Sequence, residues 1–142
     1  MNDLQILLAE DNLGDILLVR EALENHQIAH HLHVVRDGDE ALAFLAQMGE
    51  SGGVPFPDVL LLDLNLPKID GPEVLAEFRR HPQCSSTPVI AITSSDAQKD
   101  RVRMASLGIS SYFRKPSDLE EFMKLGAVVL EVINGKGRRQ TM

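Results

Sequence analysis

The chain alternates short apolar runs with longer segments in which apolar residues recur at helical spacing. Strands are predicted at Leu4 to Ala9, Leu32 to Arg36, Asp58 to Leu62, Pro88 to Ile92 and Ser110 to Arg114. Helices are predicted at Asn12 to Asn25, Asp39 to Met48, Pro72 to Arg80, Asp96 to Leu107 and Ser117 to Ile133. Each strand is therefore followed by one helix, five times over.

This alternation predicts parallel strands that are joined by right-handed crossovers, with helices on both faces of the sheet. The runs "VLLL" and "PVIAI" are continuously apolar, as expected for strands covered on both sides. The fold class is thus α/β, a doubly wound, five-stranded parallel sheet with five helices of the flavodoxin-like kind. Residues 1–134 form one domain, and the glycine-rich, charged segment 135–142 is predicted to be a disordered tail.

Composition narrows the class of protein further. The 142 residues are 44% hydrophobic and 25% charged, which is ordinary for a globular domain, and the net charge of -7 argues against a nucleic-acid-binding surface. The single cysteine, Cys84, cannot form an internal disulfide, which fits a reducing compartment. Neither a signal peptide nor an apolar run long enough to span a bilayer is present, so we expect a cytoplasmic protein without membrane contact.

Polar residues follow four of the five predicted strands, at the sheet edge where open parallel sheets bind ligands. They are Glu10, Asp11, Asn12, Asp63, Asn65, Thr93 and Lys115. Crowded carboxylates repel one another, and a hard cation such as Mg2+ that prefers oxygen ligands removes the conflict. Lys115 and the Thr93 hydroxyl could contact a phosphoryl group nearby. The set suits a phosphoryl group carried on an aspartate.

Four motifs carry a family resemblance. "LLAEDN", "LLLDLNLPKIDG", "AITSS" and "YFRKP" together resemble the receiver domain of response regulators in two-component signalling, over roughly residues 3 to 134. The resemblance implies that Asp63 is the phosphoacceptor, as a 4-aspartylphosphate, and that Glu10 and Asp11 are the acidic pair at a Mg2+ ion. It also implies that the main-chain carbonyl of Asn65 is the third protein ligand of the metal.

The resemblance assigns the switching residues as well. Thr93 matches the family's switch hydroxyl, Tyr112 its switch aromatic and Lys115 its lysine at the phosphorylation site. The bond between Lys115 and Pro116 resembles one that is usually cis in the family.

The function that follows is that of a single-domain response regulator in a phosphorelay. A sensor histidine kinase donates a phosphoryl group to Asp63, and the altered surface contacts an unknown downstream protein. The chain is expected not to be an enzyme beyond self-phosphorylation and self-dephosphorylation. Two alternatives stay open: a relay intermediate that passes the group to a histidine phosphotransfer protein, and a Mg2+-dependent phosphatase. A phosphatase would want a second aspartate where Asn65 stands.

A finer resemblance concerns the partner kinase. "EDNLGDILLVREAL", the loop "MGESGGVPFP" and "LDLNLPKIDGPEVLAEFR" are similar to the stand-alone regulators that work beside bacterial phytochrome-type histidine kinases. Those regulators often dimerise through the face formed by the fourth helix, fifth strand and fifth helix.

The last predicted helix has two apolar stripes. Its core stripe is predicted to contain Leu119, Phe122, Met123, Gly126, Leu130 and Ile133. Leu125, Val128 and Val132 fall on the nearly opposite side and are candidates for a homodimer contact. The alternative is a few harmless exposed aliphatic side chains.

Four histidines, namely His26, His30, His31 and His33, invite the hypothesis of a zinc site. No further ligands share a recognisable spacing with them, so we do not favour it. Cys84 lies in a predicted loop and is assigned no role.

Overall fold

The computed structural model describes residues 3–94, 102, 105, 106 and 108–141. The strands are β1 (Leu4–Ala9), β2 (His30–Val35), β3 (Val59–Asp63), β4 (Val89–Thr93) and β5 (Ser111–Arg114). The helices are α1 (Leu13–Asn25), α2 (Gly38–Gln47), α3 (Gly71–Arg80), α4 (Leu119–Phe122) and α5 (Lys124–Thr141), with a 3-10 turn at Pro82–Cys84. All strands pair in parallel in the order β2-β1-β3-β4-β5, which confirms the predicted fold class.

Polar caps explain where four of the helices begin. The side chains of Asn12, Asp37, Asp70 and Asp118 each accept a hydrogen bond from a backbone N–H in the first turn of the helix that follows. Two of these caps, Asn12 and Asp70, lie in the connections that leave β1 and β3. They fix the chain direction immediately after the strand ends that carry the predicted site.

The core consists of two layers, one on each face of the sheet. Leu60, Leu62 and Phe78 belong to one layer, and Leu61 and Phe122 belong to the other. Because successive side chains of a strand point to opposite faces, a strand buried along its whole length must be covered on both sides. All five residues of β3 are buried, as "VLLL" predicted.

The C-terminal helix differs from its prediction. It is interrupted at Met123, between α4 and α5, and Gly126 then lies against α1. A Cβ atom at Gly126 would come within 2.2 Å of His26 Cδ2 and 2.6 Å of the Ala22 carbonyl oxygen, so only glycine allows this close packing. The His26 ring Nε2 also lies 3.0 Å from the Met123 carbonyl oxygen. These contacts set which face of α5 is buried.

The predicted assignment of the two stripes is therefore wrong in part. Leu125, a dimer candidate, is fully buried, whereas Leu119 and Leu130 of the predicted core stripe are 53% and 37% exposed. Val128 and Val132 are partly buried against the core layer that contains Phe122. The buried residues Phe122, Leu125, Gly126 and Val129 keep helical spacing across Met123, so the buried stripe is displaced around the helix from the predicted one.

The helix predicted at Asp96 to Leu107 falls mostly on residues outside the described part of the chain. At the C-terminus, α5 continues to Thr141, past the predicted domain end at residue 134. The division into a domain of residues 1–134 and a tail of 135–142 stays a prediction.

The bond between Lys115 and Pro116 is trans, because the described residues contain no cis peptide bond. The expectation of a cis bond is wrong for this structure. The trans isomer is the lower in energy for a bond that precedes proline unless the surrounding contacts reverse the preference. Across the described residues, no helix combines the length and the apolar character that a membrane span requires.

Candidate functional site

The carboxyl ends of β1, β3, β4 and β5 form one rim of the sheet, and the predicted site residues lie along it. Asp63 is the last residue of β3 and pairs in register with Ile92 of β4. Thr93 ends β4, and its carbonyl oxygen accepts a hydrogen bond of 2.7 Å from the Lys115 amide. The parallel register therefore brings Asp63, Thr93 and Lys115 together although they are far apart in sequence.

The Asp63 carboxylate is buried and held by two donors. The backbone amide of Asn65 donates to Oδ1 over 2.9 Å, and Lys115 Nζ donates to Oδ2 over 2.9 Å. Only 4% of the residue is exposed. A carboxylate fixed at both oxygens and open only at the rim presents a defined face to an incoming group.

Lys115 is surrounded by three carboxylates. Its Nζ atom lies 2.8 Å from Glu10 Oε1, 2.8 Å from Asp15 Oδ2 and 2.9 Å from Asp63 Oδ2. The lysine side chain is only 13% exposed. An ammonium group has three N–H donors, so each carboxylate can take one of them.

The pKa values of these groups reflect burial and charge. Burial raises the pKa of Glu10 to about 7; the contact with Lys115 opposes this rise, and the nearby Asp63 adds to it. Burial by itself would lower the pKa of Lys115, but the contacts with Asp15, Glu10 and Asp63 outweigh it and raise that pKa. The lysine is therefore a permanent cation, and Glu10 can carry a proton near neutral pH.

Three carboxylates converge in a way that fits a divalent cation. One oxygen from each of Glu10, Asp11 and Asp63 lies within 4.8 Å of the other two. Glu10 Oε1 is buried and lies 2.8 Å from Lys115 Nζ. A carboxylate has about four lone-pair sites, so Glu10 can contact this lysine and still offer a lone pair to a metal. The donor set contains only oxygen, which suits Mg2+ or Mn2+.

The structure gives the burial of the remaining predicted residues but shows fewer of their contacts. Thr93 is buried at the rim, and Tyr112 is partly buried against the core layer that contains Leu60. Asn65 is exposed and contributes its amide to Asp63, while the role of its carbonyl stays a prediction. The four histidines do not converge with other ligands on a metal position in the described residues.

Sequence reasoning missed Asp15 and Arg36. Asp15 lies in the first turn of α1, where its carboxylate reaches Lys115. Arg36 follows β2, and its Nη2 donates to the Asp11 carbonyl oxygen over 3.3 Å. An acidic residue in the first helical turn after an acidic strand end was the available signal for Asp15. That signal resembles the ordinary preference of helix N-termini for acids, which hides it.

The comparisons with known proteins decide the family. The family model for the response regulator receiver domain matches residues 6–126. The chain belongs to the response regulator receiver family. The response regulator Rcp1 of Synechocystis sp. is 42% identical over 120 residues, covering 84% of this chain and 82% of Rcp1.

Two solved receiver structures are also close. The phosphorylated cyanobacterial phytochrome response regulator RcpA has a TM-score of 0.81 at 39% identity, covering 92% of this chain and 93% of RcpA. The Mn2+-bound form of Rcp1 has a TM-score of 0.78 at 40% identity, covering 89% of this chain and 91% of Rcp1. The predicted membership in two-component signalling is thereby confirmed.

Proposed function

We propose that this receiver is a stand-alone response regulator that takes a phosphoryl group from a sensor histidine kinase onto Asp63. The observation that carries the proposal is the Asp63 carboxylate, buried at the sheet rim with its oxygens oriented by the Asn65 amide and Lys115 Nζ. Lys115 is positively charged throughout the physiological range, so it can offset charge on an incoming phosphoryl group.

In the proposed step, an oxygen of Asp63 attacks the phosphorus of a phosphohistidine on the kinase. The new bond is phosphorus to Asp63 oxygen, and the bond that breaks is phosphorus to imidazole nitrogen. The imidazole leaves with the electron pair and takes up a proton. Lys115 moves its hydrogen bond from the Asp63 carboxylate to a phosphoryl oxygen, because phosphorylation removes the charge of that carboxylate.

Glu10, Asp11 and Asp63 would hold a divalent cation, with the Asn65 carbonyl as a further ligand. Bound there, Mg2+ would offset the negative charge of the acceptor and of the phosphoryl oxygens. Support comes from the convergence of the three carboxylates and from the burial of Glu10 and Asp63 at the rim. The Mn2+-bound form of Rcp1 is consistent with this cation class.

Switching is proposed to start at Thr93. The buried Thr93 lies at the end of β4, one residue beyond the partner of Asp63 in register, within the same rim. A phosphoryl oxygen on Asp63 would attract its hydroxyl, and Tyr112 would occupy the space that Thr93 leaves. This biases a two-state equilibrium on the surface around β5, which a downstream protein then reads.

The partner kinase is proposed to be of the phytochrome type. RcpA is described as a phytochrome response regulator, and 39% identity with 92% coverage supports a related input. We further propose that the output is a protein contact in the cytoplasm and that the chain has no catalytic role beyond its own phosphorylation and dephosphorylation. Asn65 supports the last point, since an amide two residues after Asp63 cannot serve as a general acid.

A homodimer through α5 is proposed with a corrected surface. Leu125 is buried, so a contact on this side of α5 would rely on Val128 and Val132, which are only partly buried. Replacing Val128 with Glu should lower the solution mass measured by light scattering from dimer to monomer. A wild-type protein that is already monomeric, with and without phosphorylation, would contradict the proposed dimer.

The phosphoacceptor proposal is tested with a small phosphodonor. The protein is incubated with acetyl phosphate and Mg2+, and its intact mass is measured under acid conditions. We expect a gain of one phosphoryl group that is lost in base and is absent without divalent cation. Asp63→Asn should show no gain, and Asp58→Asn is the matched control at the opposite end of β3, which should behave like wild type. An equal gain in Asp63→Asn would refute the site.

A further inference from the structure

Asp15 contacts the lysine of the site but stands outside the acidic cluster. Its Oδ2 atom lies 2.8 Å from Lys115 Nζ, as close as Glu10 Oε1 and closer than Asp63 Oδ2 at 2.9 Å. The three carboxylates that converge as possible metal ligands are Glu10, Asp11 and Asp63, and Asp15 is not among them. Nothing in the proposed phosphotransfer uses this carboxylate.

The backbone of Asp15 is fixed by the start of α1. The Asp15 backbone amide donates to Oδ1 of Asn12, the N-cap of the helix, over 2.9 Å. The Asp15 side chain is 23% exposed, so it lies at the edge of the cleft rather than in the core. Asp15 is therefore placed by α1, and its carboxylate is not one of the converging possible metal ligands.

The other two partners of Lys115 change when the site is used. A divalent cation draws the oxygens of Glu10 and Asp63 toward itself, and it repels the ammonium group that shares them. Phosphorylation of Asp63 then removes the negative charge from that carboxylate. Of the three carboxylates around Lys115, only Asp15 stays negatively charged and unbound to the metal during cation binding and phosphorylation.

We propose that Asp15 is a positioning residue that holds Lys115 at the rim when a cation and then a phosphoryl group occupy the site. Because Lys115 keeps its ion pair with Asp15, it stays in the cleft while the oxygens of Glu10 and Asp63 bind the cation. The lysine then does not compete with the cation for those oxygens. The cation part of this inference stands on the geometry, and the phosphoryl part rests on the proposed function. The bland alternative is that Asp15 only complements the dipole of α1.

The test is a titration of the full-length protein with Mg2+ by calorimetry. Asp15→Asn keeps the shape and an acceptor oxygen but removes the charge, so Lys115 should turn to Glu10 and Asp63 and compete with the cation. We expect the Kd for Mg2+ to rise on the order of ten-fold, the usual size for a residue that orients a metal ligand set. Asp15→Glu should restore most of the affinity. Glu21→Gln removes an exposed charge from the same helix and should leave the Kd near wild type.

A second set of variants, made in Lys115→Met, separates positioning of the lysine from direct attraction between Asp15 and the cation. In Lys115→Met no lysine remains to compete, so adding Asp15→Asn should raise the Kd for Mg2+ much less than in the wild-type background. An equal rise in both backgrounds would overturn the inference, because Asp15 would then act directly on the cation. No rise in the wild-type background, or a rise matched by Glu21→Gln, would overturn it as well.

Phosphorylation by acetyl phosphate provides the readout that links Asp15 to the chemistry. Asp15→Asn should need about ten-fold more Mg2+ for half-maximal phosphoryl gain, in line with its Kd. If the wild-type protein gains no phosphoryl group, the proposed function fails while the calorimetric titrations still decide the role of Asp15. A normal Mg2+ requirement in Asp15→Asn with an altered Kd would confine Asp15 to the unphosphorylated protein and overturn the phosphoryl part.

Discussion

Two partly buried cationic side chains, Lys115 and Arg79, lie at opposite ends of the sheet. Both contact oxygen atoms at similar distances. At the carboxyl rim, Lys115 Nζ lies 2.8 to 2.9 Å from three carboxylate oxygens. At the other end, the Arg79 guanidinium donates to the carbonyl oxygens of Cys84, Thr87 and Gly108, each over 2.7 Å. The distances are alike, but the charges of the acceptors are not.

The difference separates a cation at the proposed phosphorylation site from a structural one. Carboxylates around Lys115 raise its pKa above the ordinary value despite burial, whereas burial lowers the pKa of Arg79. Carboxylates can bind a metal, accept a proton or form a new bond, so the environment of Lys115 can change. Backbone carbonyls are neutral and take no part in phosphoryl transfer, so Arg79 holds α3 against the turns that precede β4 and β5 in one fixed arrangement.

Removal of the Arg79 fork should have the largest effect on stability. Arg79→Met leaves the carbonyls of Cys84 and Thr87, two buried residues, without these donors, and we expect a loss of about 4 kcal/mol in the free energy of unfolding. Chemical denaturation measures the loss, and Mg2+ affinity at the rim should stay unchanged. Arg80→Met, at an exposed neighbour, should cost no more than about 0.5 kcal/mol. A change in Mg2+ affinity larger than two-fold in Arg79→Met would show that the two ends of the sheet are coupled.

Removal of Lys115 should give a loss that depends on metal. Lys115→Met leaves Glu10, Asp15 and Asp63 without their cation, and we expect about 3 kcal/mol of destabilisation in the presence of a chelator. Saturating Mg2+ should restore most of it, because the metal supplies the missing positive charge. The exposed Lys124→Met is the matched control and should show neither effect. Equal destabilisation with and without Mg2+ would mean that Lys115 is structural in the same sense as Arg79.

The pH dependence of stability should be a smaller effect and should also belong to the rim. Because burial raises the pKa of Glu10 from 4.5 to about 7, the folded protein keeps a proton that the unfolded chain has lost between those values. The free energy of unfolding of the metal-free protein should therefore fall as the pH rises from about 4.5 to 7, by about 2 kcal/mol from this group.

Denaturation at several pH values in a chelator measures this slope. Glu10→Gln should flatten it, and Mg2+ should flatten it too by favouring the charged carboxylate. An unchanged slope in Glu10→Gln would assign the titration to another group.

The rim was predictable from sequence because topology alone brings the strand ends together. Once β1, β3, β4 and β5 are parallel, Glu10, Asp63, Thr93 and Lys115 have to lie on one edge. The residues that sequence reasoning missed depend on side-chain reach across elements. Asp15 lies on α1 and Lys115 follows β5, so their contact depends on how these two parts of the chain pack.

The buried side of the last helix was also predicted incorrectly from the sequence. Apolar residues occur on both sides of this helix, so periodicity alone left the buried side ambiguous. The close contacts of Gly126 with His26 and with the Ala22 carbonyl select the side that contains Leu125. These contacts arise from packing against α1, which the sequence of the last helix alone does not reveal.

Mapping the phosphoryl group along the chain tests whether Asp63 is the phosphoacceptor. After reaction with acetyl phosphate and Mg2+, borohydride reduction converts an aspartyl phosphate to homoserine, and trypsin then releases the peptide that spans residues 37–68. We expect homoserine to replace Asp63 in that peptide in the wild-type protein and to appear nowhere else in the chain. Homoserine at any other aspartate, or a phosphoryl group that resists reduction, would contradict it.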